Sequence, residues 1–176
     1  MMRGEKGIIT IEMIIATAII ALIGMAAAMV TSRVITDTER NDGHMMAVTQ
    51  VQNAGYWISR DAQMAEEVTC DAQEPNFLIL TWTEQDYEGG EAVYHSVTYF
   101  FADMSAATGK LKRSYWSSAG ASGETLIAEH IYYNPTDIDD TSKASYEGTE
   151  LIVQLTAILG EAREIKEYRV RSRPNF

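Results

Sequence analysis

The chain has a single cysteine, Cys70, in 176 residues. No intrachain disulfide can form, so an exported domain would depend on its core alone for stability. Cys70 reads as a small, partly buried side chain at a helix end rather than as a catalytic thiol. Basic residues are also scarce: 14 Lys and Arg stand against 25 Asp and Glu, a formal net charge of −11. Phosphate backbones are attracted by clustered Lys and Arg, so the bulk surface does not suit nucleic acid. The acidity suits the solubility of an exposed domain.

Residues for site chemistry are sparse too. The three histidines, His44, His95 and His130, lie far apart. His95 and His130 fall on predicted strands and could meet, but no third ligand follows at a zinc spacing. His44, Met45 and Met46 offer an imidazole and two thioethers at adjacent positions, which do not converge on a helix. Nucleophile motifs, a P-loop and a dinucleotide fingerprint are missing. "GASGE", Gly120 to Glu124, reads as a flexible loop. The acidic groups "EQDYEGGE" and "DIDD" (Asp137 to Asp140) could hold calcium, which takes oxygen ligands. The second lacks EF-hand spacing, and charge runs are usually solvated. The residues therefore assign no catalytic, cofactor-binding or metal site, and the chain reads as not an enzyme.

Charge is nearly absent from one stretch. Between Ile8 and Val30 the only charge is Glu12, and the only other polar side chains are Thr10 and Thr17. As a helix this run would span about 35 Å, enough to cross a bilayer core of about 30 Å. Arg3 and Lys6 precede it, which favours a cytoplasmic N-terminus. From Thr31 onward the sequence reads as soluble protein. A secretory signal would explain the basic start and the small residues near Ala26 to Met29, but the run exceeds the usual apolar core of such signals. A plain membrane anchor fits the length. Neither explains Glu12, because a carboxylate at a membrane helix centre costs on the order of 2.5–3.5 kcal/mol, less near an end. A buried core helix fits poorly with basic residues on one flank only.

The segment "RGEKGIITIEMIIATAIIALIGMAAAMV" resembles the N-terminus of a type IV prepilin. In that family a short basic leader ends in glycine, a dedicated peptidase cuts after it on the cytoplasmic side, and the new first residue is usually methylated. The fifth residue of the mature chain is glutamate. The resemblance places the cut between Gly7 and Ile8, N-methylation at Ile8, and the fifth-position glutamate at Glu12. Ile8 stands where the family most often has phenylalanine. Met29 stands where many major pilins carry a helix-kinking proline, which predicts a straighter first helix. The resemblance also implies a role for Glu12: in a filament of packed helices it would pair with the α-amino group of a neighbouring copy and set register. The plainer reading of Glu12 is a carboxylate snorkelling at the membrane edge.

Beyond Val30 the helical pattern resumes after "NDG", Asn41 to Gly43, which reads as a kink or short turn. Val51, Ala54, Ile58, Ala62, Ala65 and Val68 recur every three or four residues as one apolar stripe. Gln52, Ser59, Gln63, Glu66 and Glu67 lie opposite, and Tyr56 and Trp57 flank the stripe as anchors for a sheet. The pattern predicts one helix from about Ile8 to about Thr69. After Cys70 the period changes. Strands are predicted over Asn76 to Thr83, Ala92 to Phe101, Lys110 to Trp116 and Thr125 to Tyr133, the last either a regular strand or one with an irregular middle, with "DMSAATGK" as a loop. Glu150 to Gly160 and Arg163 to Arg173 read as a terminal hairpin. The expected class is α+β: a long N-terminal helix packed on an antiparallel sheet, the arrangement of pilins. The expected divisions are a leader over 1–7, a membrane or filament-core helix over 8–30, its packed continuation over 31–69 and a β-rich domain over 70–176.

The order of "YWISRDAQMAEEV", "VTYFF", "GKLKRSYW", "ETLIAEHIYY" and a hairpin closing in "RVRSRPNF" is similar to the W-type minor pilins of type IV pili and the J-type minor pseudopilins of type II secretion. Such relatives are low-abundance subunits that help to start a filament and sit near its tip. The resemblance implies other pilin subunits, a prepilin peptidase and a membrane assembly platform as partners, with no cofactor and no small-molecule substrate; some pseudopilins bind calcium. It places the chain in the cytoplasmic membrane before assembly and in an extracellular or periplasmic filament afterwards. A basic face from "KLKR", Lys110 to Arg113, with Arg169, Arg171 and Arg173 could touch DNA in a competence pilin. The alternative from another class is a membrane-anchored or secreted binding or adhesion protein with an ordinary N-terminal signal.

Overall fold

An apolar run followed by a helical stripe predicts one long helix. The computed structural model, which describes residues 5–70, 76–85, 91–137 and 139–173, and of residues 5–10 the backbone alone, shows α1 over Glu5–Met64. The chain divides into two compact units, Met1–Asp42 and Gly43–Phe176. The backbone stays helical through Asn41, Asp42 and Gly43, so the expected turn there does not form. Glycine costs about 1 kcal/mol in a helix interior and Asn and Asp less, and helical hydrogen bonding on both sides outweighs such a sum.

In the second unit the predicted stripe is the buried face of α1. Ala47, Val51, Ala54, Ile58 and Ala62 are at most 1% exposed. Small residues at every second contact let the helix lie close to the sheet. At Gly55 the approach is closest, because a Cβ there would fall inside the Tyr168 ring. The Tyr168 hydroxyl donates to the Val51 carbonyl, 3.1 Å away, fixing the ring across the helix.

The helix ends at Met64, short of the Thr69 expected from periodicity, and Glu67–Cys70 forms a strand, β1. Val68 prolongs the three-to-four spacing, so the pattern conceals the stop. β-Branched Val68 and Thr69 suit a strand edge, and β1 pairs with the next strand from Glu67↔Thr81 to Cys70↔Leu78. Glu66 makes the change of direction. Its N–H donates to the Thr81 carbonyl at 2.9 Å, and its carboxylate accepts the Thr83 N–H at 3.1 Å. Cys70 is therefore a half-buried strand residue, not a helix end.

The other strands are β2 (Asn76–Glu84), β3 (Val93–Ser105), β4 (Thr108–Ser117), β5 (Ser122–Tyr132), β6 (Lys143–Glu147), β7 (Glu150–Leu159) and β8 (Ala162–Arg171). All pairings are antiparallel, in the order β1-β2-β3-β4-β5-β7-β6, with β8 on the other edge of β7. One edge of β7 is shared: Glu150 to Gln154 pair with β6, and Ala157 pairs with Ile131 of β5. The class is the expected α+β, a long helix on a curled antiparallel sheet. β6 was not anticipated; its "KASYE" alternates between exposed and half-buried positions and carries no strong apolar signal.

Alternation sets the inner face: Leu78 and Leu80, Val97, Tyr99 and Phe101, Leu111, then Leu151, Val153 and Leu155 are buried in one cluster. Of the two forms the sequence left open for β5, a regular strand or one with an irregular middle, the structure shows the second. Its register against β4 shifts twice, at Gly109/Leu111 and Leu111/Lys112. The shift brings the consecutive residues Ile127 and Ala128 both into the core, which strict alternation forbids. Two helix side chains serve the backbone there: Asn53 Nδ2 donates to the Ile127 carbonyl at 2.5 Å, and Gln50 Oε1 accepts the Glu129 N–H at 2.7 Å.

"DMSAATGK", expected as a loop, is instead the tip of the β3–β4 hairpin. Ser105 pairs with Thr108 across a two-residue turn. Both central residues are alanines in the left-handed region, Ala106 at φ 48° and Ala107 at φ 65°. That geometry favours Asn-Gly. The β6–β7 and β7–β8 turns instead place a left-handed glycine at the first central position, Gly148 at φ 64° and Gly160 at φ 60°. An Ala-Ala turn carries no turn signal, so the sequence conceals it. Because each left-handed alanine costs about 1 kcal/mol, the double substitution Ala106→Asn with Ala107→Gly is expected to raise stability by about 1–2 kcal/mol. The check is the urea midpoint; an unchanged or lower midpoint contradicts the turn assignment.

Candidate functional site

The first candidate is the apolar part of α1. Gly7 and Ile8 lie within the helical backbone of Glu5–Met64. From Ile11 to Val30 every large apolar side chain is more than half exposed, Ile19 least at 52%. Covering such side chains releases about 1.5–3 kcal/mol each, so this face stays bare only at high cost in water. It is also the one segment among the described residues long and apolar enough to cross a membrane. Its polar groups are contained: Thr17 Oγ1 donates back to the Met13 and Ile14 carbonyls, both at 2.9 Å. A hydroxyl satisfied within its own helix tolerates an apolar surround. Glu12 is exposed on the same helix.

The second candidate was not anticipated. Asp61 is fully buried on the sheet-facing side of α1. Its Oδ2 accepts from Tyr99 Oη at 2.6 Å and from Arg113 Nε at 2.6 Å, and its Oδ1 accepts from Arg113 Nη2 at 3.1 Å. The guanidinium thus grips the carboxylate by two parallel bonds, the strongest geometry for this pair. Asp61 stands three residues after Ile58 and four before Ala65, so the same spacing that marked the stripe places it there. That is the signal that could have found it. Its partners come from β3 and β4, which no local pattern links to α1.

The surroundings complete the clamp. The Arg113 guanidinium lies 5.4 Å from the Trp57 ring and 5.5 Å from the Tyr115 ring, in the range of cation–π attraction. Trp57 therefore anchors the helix as expected, whereas Tyr56 is 62% exposed and does not. Burial, then the Asp61 charge and hydrogen bond, push the Tyr99 phenol well above its ordinary range. Burial opposes the Arg113 charge, but the Asp61 hydrogen bonds and charge outweigh it and hold the guanidinium above its usual value.

The structure does not assemble the basic face considered for DNA. Lys110 and Lys112 face outward and pair with Asp103 at 2.9 Å and Glu124 at 2.7 Å, while Arg113 turns inward to Asp61. Arg169 pairs with Glu167 at 2.7 Å, and β8, which carries it, is separated from β4 by β5 and β7. His95 and His130 do not meet: His95 pairs with Ser117 at one end of β4, and His130 sits in the bulge opposite Lys110 near the other. His44, Met45 and Met46 are exposed on α1. Most of "EQDYEGGE" lies outside the described residues, as does Ile138 of "DIDD". Asp137 accepts from Tyr132 Oη at 3.0 Å and from the Asp140 N–H at 3.3 Å, and the first of these leads in holding its carboxyl below the usual range. Asp140 pairs with Arg163 at 2.8 Å. Among the described residues no three His, Cys, Asp or Glu side chains converge on a metal position.

Two outcomes follow for the Asp61 cluster. Arg113→Met leaves a buried carboxylate without its cation and is expected to cost about 3–5 kcal/mol in urea unfolding; a loss under about 1 kcal/mol contradicts the burial assigned to Asp61. The second concerns alkaline pH. The folded state keeps the Tyr99 proton, while the unfolded chain releases it around 10.0. This contribution is complete below that pH and is lost above it, at up to about 1.4 kcal/mol per pH unit. Tyr99→Phe should flatten the alkaline decline of stability, and an unaltered slope would sink the assignment.

Comparison with protein-family models, with curated proteins and with solved structures found no match.

Proposed function

We propose that the chain is a prepilin, cut between Gly7 and Ile8, methylated at Ile8 and assembled as a minor subunit of a type IV pilus-like or type II secretion pseudopilus filament. The reading is carried by one observation. Glu12 is the sole charge on an apolar helical face whose side chains are more than half exposed from Ile11 to Val30, and it lies at the fifth position after the Gly7 junction. A bilayer would cover the apolar side chains but offers the carboxylate no partner. A bundle of like helices supplies both, because the freed amine of Ile8 on one copy can meet Glu12 of the next. Truncating one partner of such a pair costs about 3–5 kcal/mol, so the pair selects one stagger between copies among many of similar apolar contact.

The chemistry assigned to the chain is assembly, not catalysis. The helix 8–30 is the binding surface, held with its N-terminus toward the cytoplasm until the subunit leaves the membrane. Its partners are other pilin subunits, the peptidase and the assembly platform. The place near a filament tip rests on the resemblance to W-type and J-type minor subunits, and no DNA-binding role is included.

Mass spectrometry of the mature chain tests the processing. A first residue of Ile8 bearing one added methyl is expected. A chain that keeps residues 1–7, or one that starts near Met29 as after an ordinary secretory signal, contradicts the proposal. Glu12→Val should still enter the membrane but be missing from sheared filaments on immunoblots. Incorporation at the wild-type level would remove the register role.

A further inference from the structure

Three rings stack across neighbouring strands on the inner face near the Glu84 end of β2. Trp82 of β2 stands opposite His95 of β3, with ring centroids 5.2 Å apart and planes 13° from parallel. Tyr115 of β4 stacks on His95 in turn, at 5.9 Å and 22°. The Tyr115 hydroxyl and His95 Nδ1 are 2.8 Å apart. The His95 side chain is only 10% exposed, and its Nε2 is buried without a hydrogen-bond partner. Glu84 Oε2 lies 3.3 Å from that nitrogen, out of line for a hydrogen bond but within ion-pair reach.

A hydroxyl within hydrogen-bond reach of an imidazole, whose second nitrogen faces a carboxylate, is the arrangement that activates a nucleophile. With the ring proton on Nε2, Nδ1 is free to accept from the phenol. The cluster adds nothing to the clamp on Asp61 that needs a base at this place.

We infer that Tyr115 is a covalent modification site for activated acyl donors, with His95 as its base and the Glu84 carboxylate within ion-pair reach of the imidazole. In the reaction the Tyr115 oxygen attacks the acyl carbon and forms an ester bond. The bond from that carbon to the leaving group breaks. The phenol proton passes to His95 Nδ1 and from there to the leaving group. The inference is independent of the prepilin reading.

Accessibility alone ranks the tyrosines otherwise, because Tyr56 and Tyr94 are 62% and 59% exposed and Tyr115 is half-buried. The full chain in detergent is treated with limiting N-acetylimidazole, and acetylation of each tyrosine is followed by peptide mass spectrometry. Tyr115 is expected to react roughly 100-fold faster than Tyr94, the low end for a positioned base. His95→Phe keeps a stacked ring without the base and should abolish that advantage, and Glu84→Gln should reduce it by less. A Tyr115 rate equal to or below that of Tyr94 in the unaltered chain overturns the inference, as does an unchanged Tyr115 rate in folded His95→Phe. Should circular dichroism show His95→Phe unfolded, the ranking in the unaltered chain and the Glu84→Gln rate decide the matter.

Discussion

A carboxylate buried in an apolar interface has few ways to be satisfied, and Asp61 has one. Its charge would cost several kcal/mol if left alone, and among the described residues Arg113 and Tyr99 reach it. The stripe of Ala47, Val51, Ala54, Ile58 and Ala62 is smooth and repetitive. Hydrophobic contact of that kind is non-directional and would tolerate a slip of the helix by one turn. The clamp does not tolerate it, since a slip would pull the carboxylate off the guanidinium. Other contacts lock in the same register. Gln50 and Asn53 meet the backbone of the β5 bulge, and Tyr168 crosses α1 at Gly55.

The same physics gives the two units of α1 a common logic. Each carries one acid within an apolar helical face, Glu12 in the first and Asp61 in the second. Asp61 finds its cation inside the chain. For Glu12 the proposal places the cation on a neighbouring copy, so that one helix would be indexed twice, once against its own sheet and once against its assembly. The outward lysines of β4 pair with Asp103 and Glu124 on the sheet surface.

Much of this was legible in the sequence, and what was not had physical causes. The apolar run and the alternation of β2, β3 and β7 each repeat one period over many residues, so the α+β class followed. The end of α1 was hidden because Val68 satisfies both the helical and the strand pattern. β6 is too short and polar to announce itself, and the Ala106–Ala107 turn uses residues that local preference disfavours. Asp61 lay in plain view within the stripe, but a polar residue at a stripe position has meaning only once its partner is known. Arg113 and Tyr99 are 52 and 38 residues away in sequence. Glu12 was legible for the opposite reason: an acid alone in a long apolar run stands out without any partner.

A double-mutant cycle on Asp61→Leu and Arg113→Met, read by urea unfolding of the full chain in detergent, tests the central claim most directly. If the buried pair fixes the helix on its sheet, each single variant loses about 3–5 kcal/mol, while the double variant recovers most of that loss because two apolar side chains replace a paired charge. Losses that simply add would show that Asp61 and Arg113 do not hold each other, and the account of how α1 is seated would fail.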